Sequence, residues 1–403
     1  MPSVAANRDF TRLWLGEAVS VFGTRVASVA FPLLVLAMGG SAADAGLASF
    51  FRLLPYFVLS LPVGVLVDRI DRRRLMLSAD GLGVAAVGSL ALTLAIGYEA
   101  LPYVFLAAFA DGAAALAFRT AEVGALPHLV ARDRLPDAVA LNQSREFAAA
   151  LAGPPVGGVL FGVGRAVPFF ADACSYVVSA LAVASIRRPF QRPRAAAVAG
   201  TFEQVRAGLA WVWWEPFLRT SVLLVAAANL ATNALSLTVI LVAKNKGASS
   251  ALIGAMLALV AAGGLAGAAA APRLRNLVSR RAIVVGYPWI GVVVLVALTT
   301  LPPPLALGAL FGAWVFFGPL WDAIVVGYRL TIVPDELQGR VESVSSLIAF
   351  GGAALGPLTA GVAFAAFGAR TTIGLIAAWT LAVAVTGTLS TSLRFGSAGA
   401  QAV

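Results

Sequence analysis

Long apolar runs separated by short polar turns extend over almost the whole chain. Most of these runs have about the 20 residues that a helix needs to cross a bilayer. Arginine, glycine and proline are frequent in the turns between them. The pattern predicts an all-α membrane protein with twelve transmembrane helices, at residues 10–37, 47–68, 75–97, 102–125, 138–163, 166–187, 217–243, 250–271, 282–300, 304–328, 342–366 and 371–392.

Composition agrees with a membrane protein. Of the 403 residues, 60% are hydrophobic and 12% are charged, whereas soluble proteins have about 25% charged residues. The first apolar run, Leu13 to Ala37, is too long for a signal peptide, and we expect it to stay as the first helix. The chain has one cysteine, Cys174, and one histidine, His128. These exclude an intramolecular disulfide and a His/Cys metal cluster, and no cofactor is expected.

The basic residues fix the predicted orientation. With the N-terminus inside, 21 of the 29 Lys and Arg residues fall in cytoplasmic segments and four in external loops, Arg165, Lys244, Lys246 and Arg370. Such an excess of basic residues is typical of cytoplasmic loops. We therefore predict that both termini are cytoplasmic and that the protein lies in the cytoplasmic membrane of a bacterium. The net charge of +10 indicates anionic lipid, and not nucleic acid, as the partner of these loops.

The longest polar segment, from Arg187 to Glu215, divides the chain. We predict an N-terminal six-helix bundle over 1–187, a cytoplasmic linker over 188–216 and a C-terminal six-helix bundle over 217–403. Within the linker, residues 201–204 read Thr-Phe-Glu-Gln, which resembles a helix capping box. Apolar residues follow at helical spacing, so the linker is expected to include an amphipathic helix on the inner membrane surface.

An internal repeat supports two halves. A shift of 203 residues places Gly64 on Gly267 and Arg72 on Arg275. The same shift places Gly153-Pro154 on Gly356-Pro357. One offset that serves motifs in two separate helices predicts a duplicated arrangement.

The segment from Gly64 to Arg74 reads Gly-Val-Leu-Val-Asp-Arg-Ile-Asp-Arg-Arg-Arg. It resembles the signature loop between helices 2 and 3 of the major facilitator superfamily, with Asp71 where that family usually has glycine. The Gly-Pro-Pro-Val-Gly-Gly sequence at 153–158 is similar to the helix 5 motif of the exporters in that superfamily. The opening at Phe10 to Gly16 and the turn from Val333 to Arg340 resemble macrolide and siderophore efflux proteins.

This resemblance implies the major facilitator fold, two pseudo-symmetric six-helix bundles that work by alternating access. It also implies a latch that holds the cytoplasmic side closed, in which the acidic and basic groups of the signature loop meet the start of helix 11. Arg72 could meet Glu122 or Glu342. The alternative is that these arginines only satisfy the topology rule. The expected latch residues are Gly64, Asp68, Arg69, Arg72, Arg73, Glu122 and Arg340.

Small residues and prolines on helices 5 and 11 predict close helix contacts that can bend. Such contacts suit a rocking motion of two halves, and ordinary membrane packing is the alternative. The residues are Gly153, Pro154, Gly157, Gly158, Gly352, Gly356 and Pro357.

Charged residues inside the spans are the next candidates, because each is unfavourable in lipid unless paired or hydrated. Helices 1 and 4 are antiparallel, and depth matching pairs Arg25 with Asp111 and Glu17 with Arg119. Arg25–Asp111 is interpreted as part of the coupling machinery, where a proton or a cationic substrate competes for the aspartate. A purely structural ion pair is the alternative.

The spans contain further charged residues. Glu17, Asp172 and Asp322 are alternative proton sites, and Asp80 is interpreted as structural. Arg145 could also reach Glu17. Arg52 is expected to close the external side or to extend outward to the membrane surface.

The resemblance implies that helices 1, 4, 7 and 10 line a central cavity. On helix 7, Asn229, Asn233 and Ser236 form one polar stripe at helical spacing, and helix 10 offers Phe317 and Trp321. Amides facing aromatic rings suit a small amphipathic organic molecule. Hydrogen bonds between helices and lipid-facing aromatics are the alternative.

The predicted function is proton-coupled efflux of a small amphipathic compound that is drug-like, macrolide-like or siderophore-like. A symporter or facilitator that imports a metabolite is the alternative. A membrane enzyme is disfavoured because no metalloprotease, nucleotide-binding or nucleophile motif occurs. The expected partners are substrate, proton and membrane lipid, and the expected functional unit is a monomer.

Overall fold

The computed structural model describes residues 7–191, 201–275, 277–390 and 392, and its regular elements there are all helices. Fourteen α-helices follow in chain order: α1 Arg8–Ala37, α2 Ala42–Val58, α3 Ser60–Arg69, α4 Arg72–Ala95, α5 Leu101–Leu129, α6 Leu135–Val163, α7 Val167–Ser185, α8 Thr201–Trp214, α9 Pro216–Asn245, α10 Ser250–Leu274, α11 Arg280–Leu298, α12 Pro304–Val315, α13 Gly318–Ile332 and α14 Asp335–Leu389. A short 3-10 helix at Arg132–Arg134 precedes α6.

Side-chain caps define where several helices begin. The Asn7 side chain accepts hydrogen bonds from the backbone N–H groups of Asp9 and Phe10 at the start of α1. Ser41 and Asp44 form a capping box that starts α2, several residues before the predicted helix at 47. Asp71 caps α4 by accepting from the Arg74 N–H at 3.0 Å. The aspartate that departs from the family pattern therefore satisfies a backbone donor that a glycine would leave open.

Two predicted spans are interrupted, and a third break falls in the predicted turn between the spans 342–366 and 371–392. A bend of 50° separates α2 from α3, because Pro62 lacks the N–H that would bond to the carbonyl of Val58. The predicted helix at 304–328 is divided into α12 and α13. In α14 the backbone of Gly368 has a φ of 75°, a conformation that glycine adopts readily.

Among the described residues, ten helices are long and apolar enough to span a membrane, or eleven if α2 and α3 form one span. Twelve spans require α14 to be counted as two, divided at Gly368. The number twelve stays a prediction.

The chain has two compact units, and the first comprises Met1–Val198 and Gly247–Ala258. Its apolar core includes Phe10, Leu13, Met76 and Leu129. Glycines let its helices approach closely: Gly157 of α6 lies against the backbone of Val26 in α1, and Gly83 of α4 lies against the ring of Tyr176 in α7. Close backbone approach at small residues is the usual means of packing helices in a membrane.

The second unit comprises Ala199–Lys246 and Leu259–Val403. Helices α9 and α14 form its most extensive contact, and a Cβ on Gly356 would lie 2.5 Å from the carbonyl oxygen of Leu230. Gly153 of α6, the predicted repeat partner of Gly356, lies against Arg25 of α1, so the α6–α1 and α14–α9 contacts use glycines at the predicted repeat positions. The domain boundaries at 187 and 217 stay predictions.

The predicted linker helix lies in this unit as α8. Gly208 of α8 lies against the backbone of Arg340 at the start of α14, and Trp213 and Trp214 are exposed. The side chains of residues 201–205, on which the predicted capping box depends, lie outside the described residues.

We predict opposite effects for two alanine substitutions in α6. In Gly157→Ala the new Cβ would lie 2.5 Å from the Val26 carbonyl oxygen, and overpacking of this kind costs about 1–3 kcal/mol. In Gly162→Ala the Cβ has no neighbour within 4 Å, and alanine favours a helix by about 1 kcal/mol over glycine. Thermal unfolding of the purified proteins should show a lower transition for Gly157→Ala alone; equal transitions would contradict the close contact.

Candidate functional site

A buried ion pair joins α2 and α5. The Asp111 carboxylate is fully buried, and Arg52 Nε donates to its Oδ2 at 2.9 Å. The hydroxyl of Tyr176 on α7 donates to the other oxygen, Oδ1, at 2.8 Å. Gly112 allows the backbones to meet here, since a Cβ at that position would collide with the Arg52 carbonyl oxygen. Two charge-assisted hydrogen bonds therefore hold one aspartate at membrane depth.

Arg52 extends this site to the first helix. Its Nη2 donates to the carbonyl oxygen of Thr24 at 3.1 Å, and its guanidinium lies 6.0 Å from the centre of the Phe31 ring. The Thr24 hydroxyl in turn lies 3.5 Å from the Tyr176 hydroxyl. We call Arg52, Asp111, Tyr176 and Thr24 the Asp111 cluster, and it connects α1, α2, α5 and α7.

The predicted Arg25–Asp111 pair is wrong. Arg25 pairs instead with Glu146 of α6, with 3.0 Å between Arg25 Nη2 and Glu146 Oε2. Equal depth in the membrane was not sufficient to identify the paired side chains, because successive residues of a helix point about 100° apart. The Thr24 carbonyl and hydroxyl meet Arg52 and Tyr176, while Arg25 turns toward α6, where Gly153 makes room beside it. Arg52, which was expected near the outer surface, is the residue that pairs with Asp111.

The second rung of the predicted ladder is also wrong. Arg119 is exposed, whereas Arg145 of α6 donates through both Nη atoms to the two oxygens of Glu122, each at 3.0 Å. Glu17 Oε1 lies 4.0 Å from Arg145 Nη2, so the alternative partner Arg145 is the one observed. We call Glu17, Glu122 and Arg145, which are all buried, the Glu122 cluster.

The signature loop is anchored within its own unit. Arg72 is buried and donates to the carbonyl oxygens of Gly124 and Phe190, and Arg73 donates to that of Ala184. Arg69 is exposed, and the Asp68 side chain lies outside the described residues. A Cβ on Gly64 would meet no atom within 4 Å, so packing within this unit does not demand that glycine.

The other suggested latch partners have ion pairs of their own. Glu122 binds Arg145, and Glu342 binds Arg329 within the second unit. The remaining latch residue, Arg340, lies at the contact between α14 and α8. The latch itself stays a prediction.

The predicted cavity residues divide into two groups. Asn229 Nδ2 donates to the Ala349 carbonyl of α14 at 3.3 Å and Asn233 Nδ2 to the Asn229 carbonyl. Ser236 and Phe317 are partly exposed, and Asp322 is exposed. Trp321 does not fit the prediction, because its indole is buried and donates to the Val284 carbonyl at 3.2 Å. It packs within the second unit, where it stacks on Tyr287.

Comparison with known proteins identifies the family. Residues 3–402 match the family described as transmembrane secretion effector. The chain belongs to this family of the major facilitator superfamily. As a secretion effector of this family the chain is a transporter, not an enzyme, and a multi-pass membrane protein.

Two curated relatives of this secretion effector are efflux proteins. The multidrug efflux pump Tap of Mycobacterium bovis (strain BCG / Pasteur 1173P2) is 31% identical over 362 residues, which cover 84% of this chain and 83% of that pump. Macrolide efflux protein A of Streptococcus pyogenes is 32% identical over 183 residues, 45% of each chain. The chain thus spans about half the length of the macrolide relative. The resemblance to drug exporters is confirmed.

Solved transporter structures share the fold. A bacterial homologue of the iron transporter ferroportin has a TM-score of 0.72 at 16% identity, with 94% of this chain and 98% of that chain covered. A bacterial homologue of the lysosomal transporter Spinster has a TM-score of 0.71 at 13% identity, with 96% of each chain covered. At these identities the likeness shows the fold alone, and it confirms the predicted major facilitator fold.

We predict that the Arg52–Asp111 pair is required for stability. Asp111→Asn removes the carboxylate that binds the Arg52 guanidinium, whose side chain is 17% exposed, and breaking a buried pair costs about 3–5 kcal/mol. Glu146→Gln breaks the Arg25–Glu146 pair, whose arginine is 46% exposed, and should cost less than about 1 kcal/mol. Thermal unfolding of both variants measures the difference.

A double variant provides the control for this prediction. Arg52→Met with Asp111→Leu removes both charges and should unfold at a higher temperature than Asp111→Asn alone. If the double variant is the less stable protein, the buried charge is not the cause of the loss.

Proposed function

We propose that this transporter exports a small amphipathic organic compound across the cytoplasmic membrane in exchange for protons, by alternating access. The drug-like, macrolide-like or siderophore-like class of compound is supported by the printed functions of the relatives, multidrug efflux and macrolide efflux. The chain has no nucleotide-binding glycine-rich loop, which favours an ion gradient as the driving force. The Asp111 cluster is the observation that carries the proton coupling.

Protonation of Asp111 is the proposed coupling event. A neutral Asp111 no longer attracts the Arg52 guanidinium, which also holds the Thr24 carbonyl. Because those contacts connect α1, α2 and α5, a proton at one atom changes the ties among three helices. The partly exposed Arg25–Glu146 pair and the exposed Arg119 and Asp322 are proposed to contact substrate or to carry secondary protons.

For the conformational change we propose the same residues that the sequence predicts. Gly64, Asp68, Arg69, Arg72, Arg73, Glu122 and Arg340 are proposed as the cytoplasmic latch, supported by the anchoring of Arg72. The α6–α1 and α14–α9 contacts at Gly153, Pro154, Gly157, Gly158, Gly352, Gly356 and Pro357 are proposed as the surfaces that rock. Their support is the close backbone approach at Gly157 and Gly356.

The second unit is proposed to supply much of the substrate surface. Asn229, Asn233, Ser236 and Phe317 remain candidates, whereas the buried Trp321 is not retained. Both termini are proposed to be cytoplasmic. The exposed Trp213 and Trp214 of α8 suit the interfacial region of the inner surface, and the working unit is proposed to be a monomer.

Export is tested in an exporter-deficient bacterial strain that produces this protein. We expect protection against part of a panel of cationic dyes and macrolides, and we expect a protonophore to abolish extrusion of a protective dye. Accumulation of the dye in inside-out vesicles would agree with export. Accumulation in right-side-out vesicles would indicate the alternative, import, and efflux unaffected by the protonophore would contradict proton coupling.

Tyr176→Phe tests the Asp111 cluster with a small change. The variant removes one hydrogen bond to a charged carboxylate, and such a bond contributes about 1.5–3 kcal/mol. We expect the initial rate of proton-driven dye extrusion to fall about ten-fold at equal protein level. Tyr98→Phe changes a tyrosine that is 58% exposed and is the matched control; equal rates for both variants would count against the cluster.

A further inference from the structure

One face of α7 carries a buried polar stripe. Asp172, Ser175, Tyr176 and Ser179 are spaced by three, four and seven residues, so they share that face, and none is more than 4% exposed. Glycines on neighbouring helices fit against the stripe: Gly23 of α1 lies beside Ser175 and Asp172, and Gly83 of α4 lies beside Tyr176. The stripe is therefore enclosed by protein and faces α1 and α4.

The first end of the stripe has more carboxyl groups than cations. Asp172 and Asp111 are both fully buried, and Asp172 has Asp111 and Arg52 as charged neighbours. Arg52 binds Asp111. Asp172 Oδ1 accepts from the Ser175 hydroxyl at 3.2 Å, and Oδ2 has no hydrogen-bond partner among the described residues. One carboxyl group of this pair is thus in excess.

The other end of the stripe, at Ser179, also has more carboxyl groups than cations nearby. Asp80 of α4 is fully buried and lies near Glu17 of the Glu122 cluster. Glu17 also has Glu122 and Arg145 as neighbours, and the Arg145 guanidinium is engaged by Glu122. Neither oxygen of Asp80 has a hydrogen-bond partner of normal geometry among the described residues, and the Ser179 hydroxyl is beside it.

An ionised carboxylate in such a place lacks both water and a counter-charge. Its burial is strongly unfavourable, and a bound proton removes the charge. A metal ion is a poor alternative, because the described residues include no group of three or more His, Cys, Asp or Glu side chains that could hold one. The chemistry at both ends of the stripe therefore points to a proton as the ligand.

We propose that Asp172 and Asp80, which lie at the two ends of the α7 stripe, are proton-binding sites whose protons are used in transport. The role of these protons in transport rests on the proposed function, whereas their binding does not. A proton bound at either site leaves a neutral carboxylic acid there, while Asp111 keeps Arg52 as its counter-charge.

The groups around each site come from several helices. Asp172 is faced by Asp111 of α5 and Arg52 of α2, with Ser175 on its own helix. Asp80 is faced by Ser179 of α7 and by Glu17 of α1. Glu122 of α5 and Arg145 of α6 lie beyond Glu17. The cation of this neighbourhood, Arg145, is thus bound to another carboxylate.

Infrared spectroscopy of the purified full-length protein tests proton binding directly. At neutral pH we expect a carbonyl stretching band from neutral carboxylic acids, with one component lost in Asp80→Asn and another in Asp172→Asn. Asp133→Asn, at a side chain that is 71% exposed, should leave the band unchanged. If neither buried variant loses a component, both carboxylates are ionised and the proposal is overturned.

Ser179→Ala provides a second test of the Asp80 site in case Asp80→Asn does not fold. It removes the single hydroxyl beside Asp80 and should shift the frequency of the Asp80 component without removing it. An unchanged frequency in the folded Ser179→Ala protein would overturn the Asp80–Ser179 assignment.

Transport assays separate failure of these proton sites from failure of the proposed function. If a protonophore does not affect efflux by the unsubstituted protein, proton-driven export is overturned, and the infrared bands still decide whether Asp80 and Asp172 bind protons. If that efflux is proton-driven, we expect Asp80→Asn and Asp172→Asn to lose the proton-driven component. Unchanged proton-driven efflux in both variants would overturn the role of the two sites in transport.

Discussion

Burial of charge in an apolar setting is the constraint on which the first unit depends. Asp111 is acceptable at membrane depth because Arg52 and Tyr176 satisfy its two oxygens. The same contacts bring α2, α5 and α7 together, and Arg52 reaches α1 through the Thr24 carbonyl. A change of charge at Asp111 would thus affect contacts among these helices, and the low dielectric of the apolar packing around it strengthens such an effect.

Much of the fold follows from the sequence for physical reasons. Apolar runs of membrane length can satisfy their backbone groups only as helices, so the spans and the family resemblance were accessible. The break at Gly368 falls in the predicted turn between the spans 342–366 and 371–392. The bend near Pro62 was harder to locate, because proline is common in membrane helices and the local sequence does not distinguish a tolerated proline from one that bends the chain.

The site was predicted less well, because depth along a helix is not the same as direction around it. Glu17, Arg25 and Asp111 were recognised as buried or pore-level charges, yet each was given the wrong partner. Arg52 was placed near the outer surface because its helix face could not be known. The spacing of Asp172, Ser175, Tyr176 and Ser179 indicates the α7 stripe, but hydroxyl groups are common in apolar runs, and only Asp172 was predicted as a proton site.

The slot left by Gly83 has a consequence for natural variation. The Tyr176 ring occupies the space where a side chain at position 83 would be, and a Cβ there would lie 2.7 Å from two ring carbons. Even a methyl group would displace the phenol and thereby weaken its hold on a carboxylate that belongs to a different helix. Sequence changes at this inconspicuous position would therefore disturb the Asp111 cluster through steric displacement, although no charged atom had been touched.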